Sequence, residues 1–317
     1  MNLHSCKMCL QRQYMFKQLI IISILLNFAT AKIITPNDVY SQVMIIDKEI
    51  HFLLKYHGLE HNHNEIIKRT KIKTKLKPRT AWQKTYEIMI KINILRKSHN
   101  MPIIEPINIE PILSLNPDMV YEQTQRILTE LKIIKYKLDI KNVEHKPNKY
   151  SNKTPQDVFN ELNHISASLD TINRTVFTPS YVFGEAMRVY DDLTTILNYL
   201  NIKDHTIPTK HNSSATPLET FSTSMEILSR IKVLQEMASI ETVNFSSFKK
   251  KNPNPSDVFT MVQMILSELQ TIKAHIGLFH YITPAATTYN DKTPADVDQL
   301  MRWNLRKISL IDTLRVK

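Results

Sequence analysis

The chain has 317 residues, 42% of them hydrophobic, with 41 Lys and Arg against 30 Asp and Glu for a formal charge of +11. Its length leaves room for one sizeable core or for two on the order of 140 residues each, and its basic balance favours anionic partners such as envelope polymers, phospholipid head groups or nucleic acid. Only three glycines occur, Gly58, Gly184 and Gly277, which argues against phosphate-cradling loops and most α/β nucleotide folds, since these need glycine where backbone meets ligand.

Residues 1–31 read as a signal peptide. Lys17 precedes an apolar run from Leu19 to Phe28, and Ala29-Thr30-Ala31 forms a cleavage site. The run is too short to span a bilayer. Met15 is an alternative start, because Met15-Phe16-Lys17 opens a more compact leader. Both cysteines, Cys6 and Cys9, lie in this segment. The expected mature chain is therefore free of disulfides, thiol nucleophiles and thiolate metal sites, and its expected location is secreted or periplasmic.

The remainder is organised by a recurring helix start. In Asn254-Pro255-Ser256-Asp257-Val258-Phe259, Asn254 supplies an N-cap oxygen and Pro255 sits at the first helical position. Asp257 completes a capping box and suits the positive end of the helix dipole. Val258, Phe259, Val262, Ile265, Leu266, Leu269 and Ile272 then follow in steps of three and four, the pattern of an amphipathic helix.

Equivalent starts occur at Pro36, Pro78, Pro117, Pro155, Pro179, Pro217 and Pro294. The Pro78 copy is the most degenerate: it lacks the capping oxygen and has Thr80 in place of an acid. Pairing the first four starts with the last four gives offsets of 143, 139, 138 and 139 residues (Pro36 to Pro179, Pro78 to Pro217, Pro117 to Pro255, Pro155 to Pro294). Such fixed-period similarity predicts an all-α fold made by tandem duplication of a four-helix unit, with halves at 32–174 and 175–317. The period invites comparison with tetratricopeptide, HEAT and armadillo arrays. Their paired helices and the W-x2-L-G-x2-Y signature are absent.

In chain order, helix one runs from Pro36 to Tyr56 and stops at Gly58. His57, His61 and His63, close to Glu60, form the one local imidazole cluster and are the candidate metal ligands; the competing reading is a solvated loop. Next come Lys71, Lys73, Lys75 and Lys77, alternating as on one side of an extended segment. With Lys249, Lys250 and Lys251 they are the candidate polyanion-binding residues, although such runs also serve as solvated connectors. Aromatic interleaving is missing from the run, so nucleic acid is not the expected partner.

Helix two covers about Ala81 to Ser98. The greasy, proline-rich link 101–111 after it is expected to pack along the helices. Helix three runs from Pro117 to about Leu138 and helix four from Pro155 to about Asn173. Most links have about 15 non-helical residues, enough to run the length of a bundle, so parallel and antiparallel orders both remain open. The short link at 174–178 calls for an antiparallel neighbour.

Helix four carries Glu161-Leu162-Asn163-His164, an E-x-x-H pattern. Its duplicate positions are Leu300 and Trp303, and no second motif accompanies it, so it is not counted as a di-metal centre. Tyr40, Tyr121, Phe159, Phe183, Phe221 and Phe259 each follow their proline by four residues and are read as staples locking helix starts to the core.

No Gly-x-Ser-x-Gly, H-E-x-x-H or Walker pattern is present. The expectation is a non-enzymatic, cofactor-free scaffold or binding protein, whose partner is an anionic envelope polymer or another protein. The alternative is a small-molecule or metal-binding helical bundle of sensor type.

Overall fold

Each helix opens on one of the eight prolines. The computed structural model describes residues 33–59, 74–174 and 177–312. Among these, eight α-helices and no strands occur: α1 (Pro36–Tyr56), α2 (Pro78–Ser98), α3 (Pro117–Lys137), α4 (Pro155–Asn173), α5 (Pro179–Tyr199), α6 (Pro217–Met237), α7 (Pro255–His275) and α8 (Pro294–Asp312). The fold is all-α, as the periodicity indicates.

The starts are built as the capping pattern requires. Asn254 N donates to Asp257 Oδ2 and Asp257 N donates to Asn254 Oδ1, both at 2.9 Å. Thr154 with Asp157 and Thr293 with Asp296 form the same reciprocal pair. α2 starts after Lys77, whose ammonium offers no acceptor.

The helix ends are also uniform. Gly58 and Gly277 are left-handed, and so are Asn100, Asp139, Asn201 and Ser239, with φ of 54°, 54°, 56° and 55°. After each comes an apolar residue whose N–H reaches back to the last turn, as Met101 N does to Arg96 O at 2.9 Å. This is the Schellman closure. At four of these ends Asn, Asp or Ser stands in for glycine; helix two still ends at Ser98 and helix three within a residue of Leu138, as their periodicity predicts.

Helix direction is settled at the starts. Pro36, Val39, Pro78, Ala81, Pro117, Val120, Pro155 and Val158 line one small apolar hollow, so α1 to α4 all point the same way. Pro179, Val182, Pro217, Thr220, Pro255, Val258, Pro294 and Val297 do the same for α5 to α8.

Within the first quartet α1 and α2 each pack against both α3 and α4; within the second, α5 and α6 each pack against both α7 and α8. Consecutive pairs such as α1 and α2 are therefore diagonal, and the links must run back along the bundle. They bury Ile109, Leu115, Val243, Phe245 and Phe248 as they go. The link 101–111 packs only in part: Ile109 is buried, Asn93 holds Ile104 through both its N–H and its carbonyl, and Ile103 is exposed.

The quartets meet through α2 and α7. Arg79 bonds Glu268, Gln83 bonds Gln263, and Lys84 and Glu87 both reach Thr260. Numbers rise along α2 as they fall along α7, so these two helices, and with them the two quartets, run in opposite directions. The short link 174–178 needs this arrangement, because α5 must start where α4 ends.

The staple reading holds for Phe159, Phe221 and Phe259, which are buried; burying each contributes about 1.5–3 kcal/mol. Tyr40 and Phe183 differ, being gripped by the links. Tyr40 meets Tyr150 edge-on with Lys153 over both rings, and Phe183 meets Tyr289 edge-on with Lys292 over both.

These contacts stand apart by the same offsets as the prolines, and two buried polar pairs do likewise. Glu49–Lys135 corresponds to Asp192–Lys273, and Arg96–Glu130 to Gln235–Glu268.

Candidate functional site

A cleft of mixed polar and apolar lining lies where the two quartets meet. It holds about 440 Å³ of space that water can reach, within the range of small-ligand sites. α2 contributes Tyr86 and Ile90, the start of α5 contributes Ser180, Tyr181 and Glu185, and residues 285–291 of the link into α8 form a wall. That wall stands close because position 184 is glycine: a Cβ there would come within 2.9 Å of the Thr287 carbonyl oxygen.

The floor is a buried, charge-balanced cluster. Arg188 donates to Glu185 Oε2 at 2.7 Å and to the Tyr86 hydroxyl at 3.0 Å, and its other nitrogen reaches Asn108 Oδ1 at 3.2 Å. The Arg188 guanidinium also lies over the Tyr86 ring, 5.1 Å from its centre. Burial pushes the Tyr86 phenol up, and the Glu185 charge adds to the shift, so Tyr86 keeps its proton and can donate. Burial alone would lower Arg188, but the Glu185 charge and its hydrogen bond more than offset it, so the cation is retained.

Nothing in the order of residues announces this cluster, since its members come from helices about 100 positions apart. One signal was legible. By the proline offsets, Glu185 and Arg188 correspond to Gln42 and Ile45, and Tyr86 corresponds to Met225. Tyr86 comes from the first quartet and Glu185 and Arg188 from the second, and each has a different residue at its offset position, so the cluster exists only where the two quartets meet.

The candidates chosen from sequence fall elsewhere. His61 and His63 lie outside the described residues. His57 caps the end of α1 and faces His99 with ring centres 5.9 Å apart. Burial pushes its pKa down, and the nearby His99 and Arg174 add to this.

Lys71 and Lys73 also lie outside the described residues. Lys77 pairs with Glu241 at the start of α2, and Lys250 pairs with Asp257 at the start of α7. Because α2 and α7 are antiparallel, Lys77 and Lys250 sit at opposite ends of the pair. Lys75, Lys249 and Lys251 are exposed.

No family model, curated protein or solved structure matches the chain. Among the described residues no helix is long and apolar enough to cross a membrane.

Proposed function

We propose that the protein is a secreted or periplasmic, non-enzymatic binding protein that holds a small, neutral, hydroxyl-rich molecule between two copies of one four-helix unit. The observation that carries the reading is the cleft: three tyrosines, Tyr86, Tyr181 and Tyr289, stand beside Thr178, Ser180, Thr287, Thr288 and Asn290 over a floor whose charges are already matched. Rings offer faces for stacking, and hydroxyls and amides offer both donors and acceptors. The Glu185 charge is met by Arg188, and Lys97 and Asp291 add one charge of each sign to the lining, so the cleft carries no net charge and neutral ligands are favoured over strongly charged ones.

The duplication is supported by the contacts that recur at the proline offsets. The extracellular reading rests on the leader sequence. A scaffold role toward an anionic polymer would use the exposed lysines, and a heparin column eluted with rising salt examines it separately.

A thermal-shift panel of mono- and oligosaccharides tests the cleft. A true ligand at about 100 times its Kd adds about 2.7 kcal/mol to folding stability. The expected result is a saturable rise in Tm that Thr288→Trp abolishes, because the exposed Thr288 side chain lines the cleft wall. A shift that survives Thr288→Trp, or a panel without any shift, contradicts the reading.

A further inference from the structure

The first quartet holds a second polar cluster, away from the cleft. Asp47 on α1 and Glu161 and His164 on α4 offer one ligand atom each, all within 4.8 Å of one another. Among the described residues no other trio of His, Cys, Asp and Glu meets this condition. The helical rise brings Glu161 and His164, three apart, onto one face of α4, and α1 lies beside α4 in the same direction. His164 is buried, and Asp47 and Glu161 are partly buried.

We propose that Asp47, Glu161 and His164 bind one divalent first-row transition ion, with Zn2+ the species of best fit. Two carboxylates and a neutral imidazole bring two negative charges, which a divalent cation matches. The set is mixed oxygen and nitrogen without thiolate, as zinc accepts and as copper(I) does not. Three protein ligands leave at least one position for water or a further ligand.

Distances agree with an ion-sized gap. His164 Nε2 stands 3.4 Å from Asp47 Oδ1. A charge-assisted hydrogen bond is shorter, about 2.7–2.9 Å, whereas two ligands of a tetrahedral ion at about 2.1 Å are separated by roughly 3.4 Å. Asp47 Oδ1 is buried and accepts no hydrogen bond.

Lys153 and the Tyr40 phenol face the acids of the trio, and Tyr150 and Lys153 pack on the Tyr40 ring. Burial pushes Glu161 up, Asp47 adds to that, and His164 and Lys153 oppose it. The Tyr40 phenol is pushed up to about 12 by burial, followed by the Glu161 charge. The two acids thus repel each other in a place that a cation would relieve.

The second quartet supplies the contrast. At the proline offsets Asp47, Glu161 and His164 become Tyr190, Leu300 and Trp303, and the Tyr190 and Trp303 rings pack 4.7 Å apart. There the two rings and Leu300 fill the space, with the Lys307 ammonium over both rings and paired with Asp204, and no His–carboxylate trio remains. In the first quartet one buried and two partly buried ionisable groups cost solvation, and a bound ion compensates that cost.

Equilibrium dialysis of the full chain against Zn2+ alone tests the proposal. It is run in a C6S/C9S background so that the leader thiols do not compete. About one equivalent is expected to bind, with affinity on the order of 100-fold weaker in both Glu161→Gln and Asp47→Asn, while far-ultraviolet circular dichroism stays helical. Co2+ is the second probe: its visible bands should indicate four-coordination and disappear in Glu161→Gln. A triple H57A/H61A/H63A variant should bind as the parent does. Absence of stoichiometric binding, full affinity in Glu161→Gln and Asp47→Asn, or loss of binding in the histidine triple variant would each overturn the assignment.

Discussion

Glu87→Gln is expected to cost about 3–5 kcal/mol of folding stability, because it leaves buried cations without their counter-ion. Glu87 lies at the join between the quartets, 2.7 Å from Lys84 Nζ and 3.4 Å from Lys91 Nζ, and all three side chains are buried. Ser166 and Thr260 donate hydroxyl hydrogen bonds to its two oxygens, at 2.6 and 2.8 Å. Lys91 keeps a second acid, Asp170 at 2.8 Å, but Lys84 does not. In the glutamine variant one carboxylate remains for two lysines, each also resting over a ring, Phe159 or Phe177.

The same residue makes stability depend on acid. Burial pushes Glu87 up, but the Lys84 and Lys91 charges, with hydrogen bonds from Lys84 and Ser166, outweigh it and hold the carboxyl at about 2 against an ordinary 4.5. A depressed carboxylate adds stability above its unfolded value and loses it as pH falls toward the folded value. Urea midpoints of the parent should therefore fall between pH 4.5 and 2, and those of Glu87→Gln should fall less over that window. Asp170 works in the opposite sense, since burial and the Glu87 charge push it up, so the difference between the two chains reports the Glu87 share. An equal fall in both would show that the Lys84–Glu87–Lys91 contacts contribute little.

Lys273→Met should be similarly costly, again about 3–5 kcal/mol, for the converse reason. It strands Asp192, a fully buried carboxylate 3.0 Å from Lys273 Nζ. Thr283 and Gln270 remain as donors to Asp192, at 2.9 Å each, and they soften the loss without balancing the charge. Removing both charges together in Asp192→Leu/Lys273→Met is expected to be near neutral, since the two desolvation costs vanish with the pair. A double-mutant cycle by urea unfolding measures this, and losses that simply add would refute a coupled pair. Glu49 and Lys135, the corresponding pair in the first quartet, should give the same pattern, with His145 3.8 Å from Glu49 where the second quartet has Thr283 against Asp192.

Local rules made much of this fold readable. The Thr/Asn-Pro-x-Asp starts fixed where the helices begin, and the short link after Asn173 fixed one reversal of direction. Parallel order was not readable, because links such as 138–154 reach far enough for either arrangement. The hollow formed by Pro36, Pro78, Pro117 and Pro155 decides it.

The site was least readable of all. His57, His61 and His63 drew notice because they are close in sequence, whereas Tyr86, Glu185 and Arg188 are joined by packing alone. The E-x-x-H on α4 was visible, but its third member, Asp47, is more than 100 residues away and becomes a neighbour only when α1 lies beside α4. Both clusters lie at positions whose partners at the proline offsets are different residues, and that comparison needs the offsets between the two sets of prolines rather than any local motif.

The cleft and the Asp47 cluster both depend on helices within each quartet pointing the same way. Spin-label distances test this directly, in a chain with Cys6 and Cys9 replaced by Ser and new cysteines at exposed helix ends. Tyr56 and Tyr136 close the neighbouring helices α1 and α3, and Asp118 opens α3. The account predicts a short distance for Tyr56→Cys/Tyr136→Cys, about 10–20 Å, since packed helices lie about 8–10 Å apart. It predicts about 30 Å for Tyr56→Cys/Asp118→Cys, the length of a 21-residue helix. The reverse order, with Tyr56 near Asp118 and far from Tyr136, would contradict it.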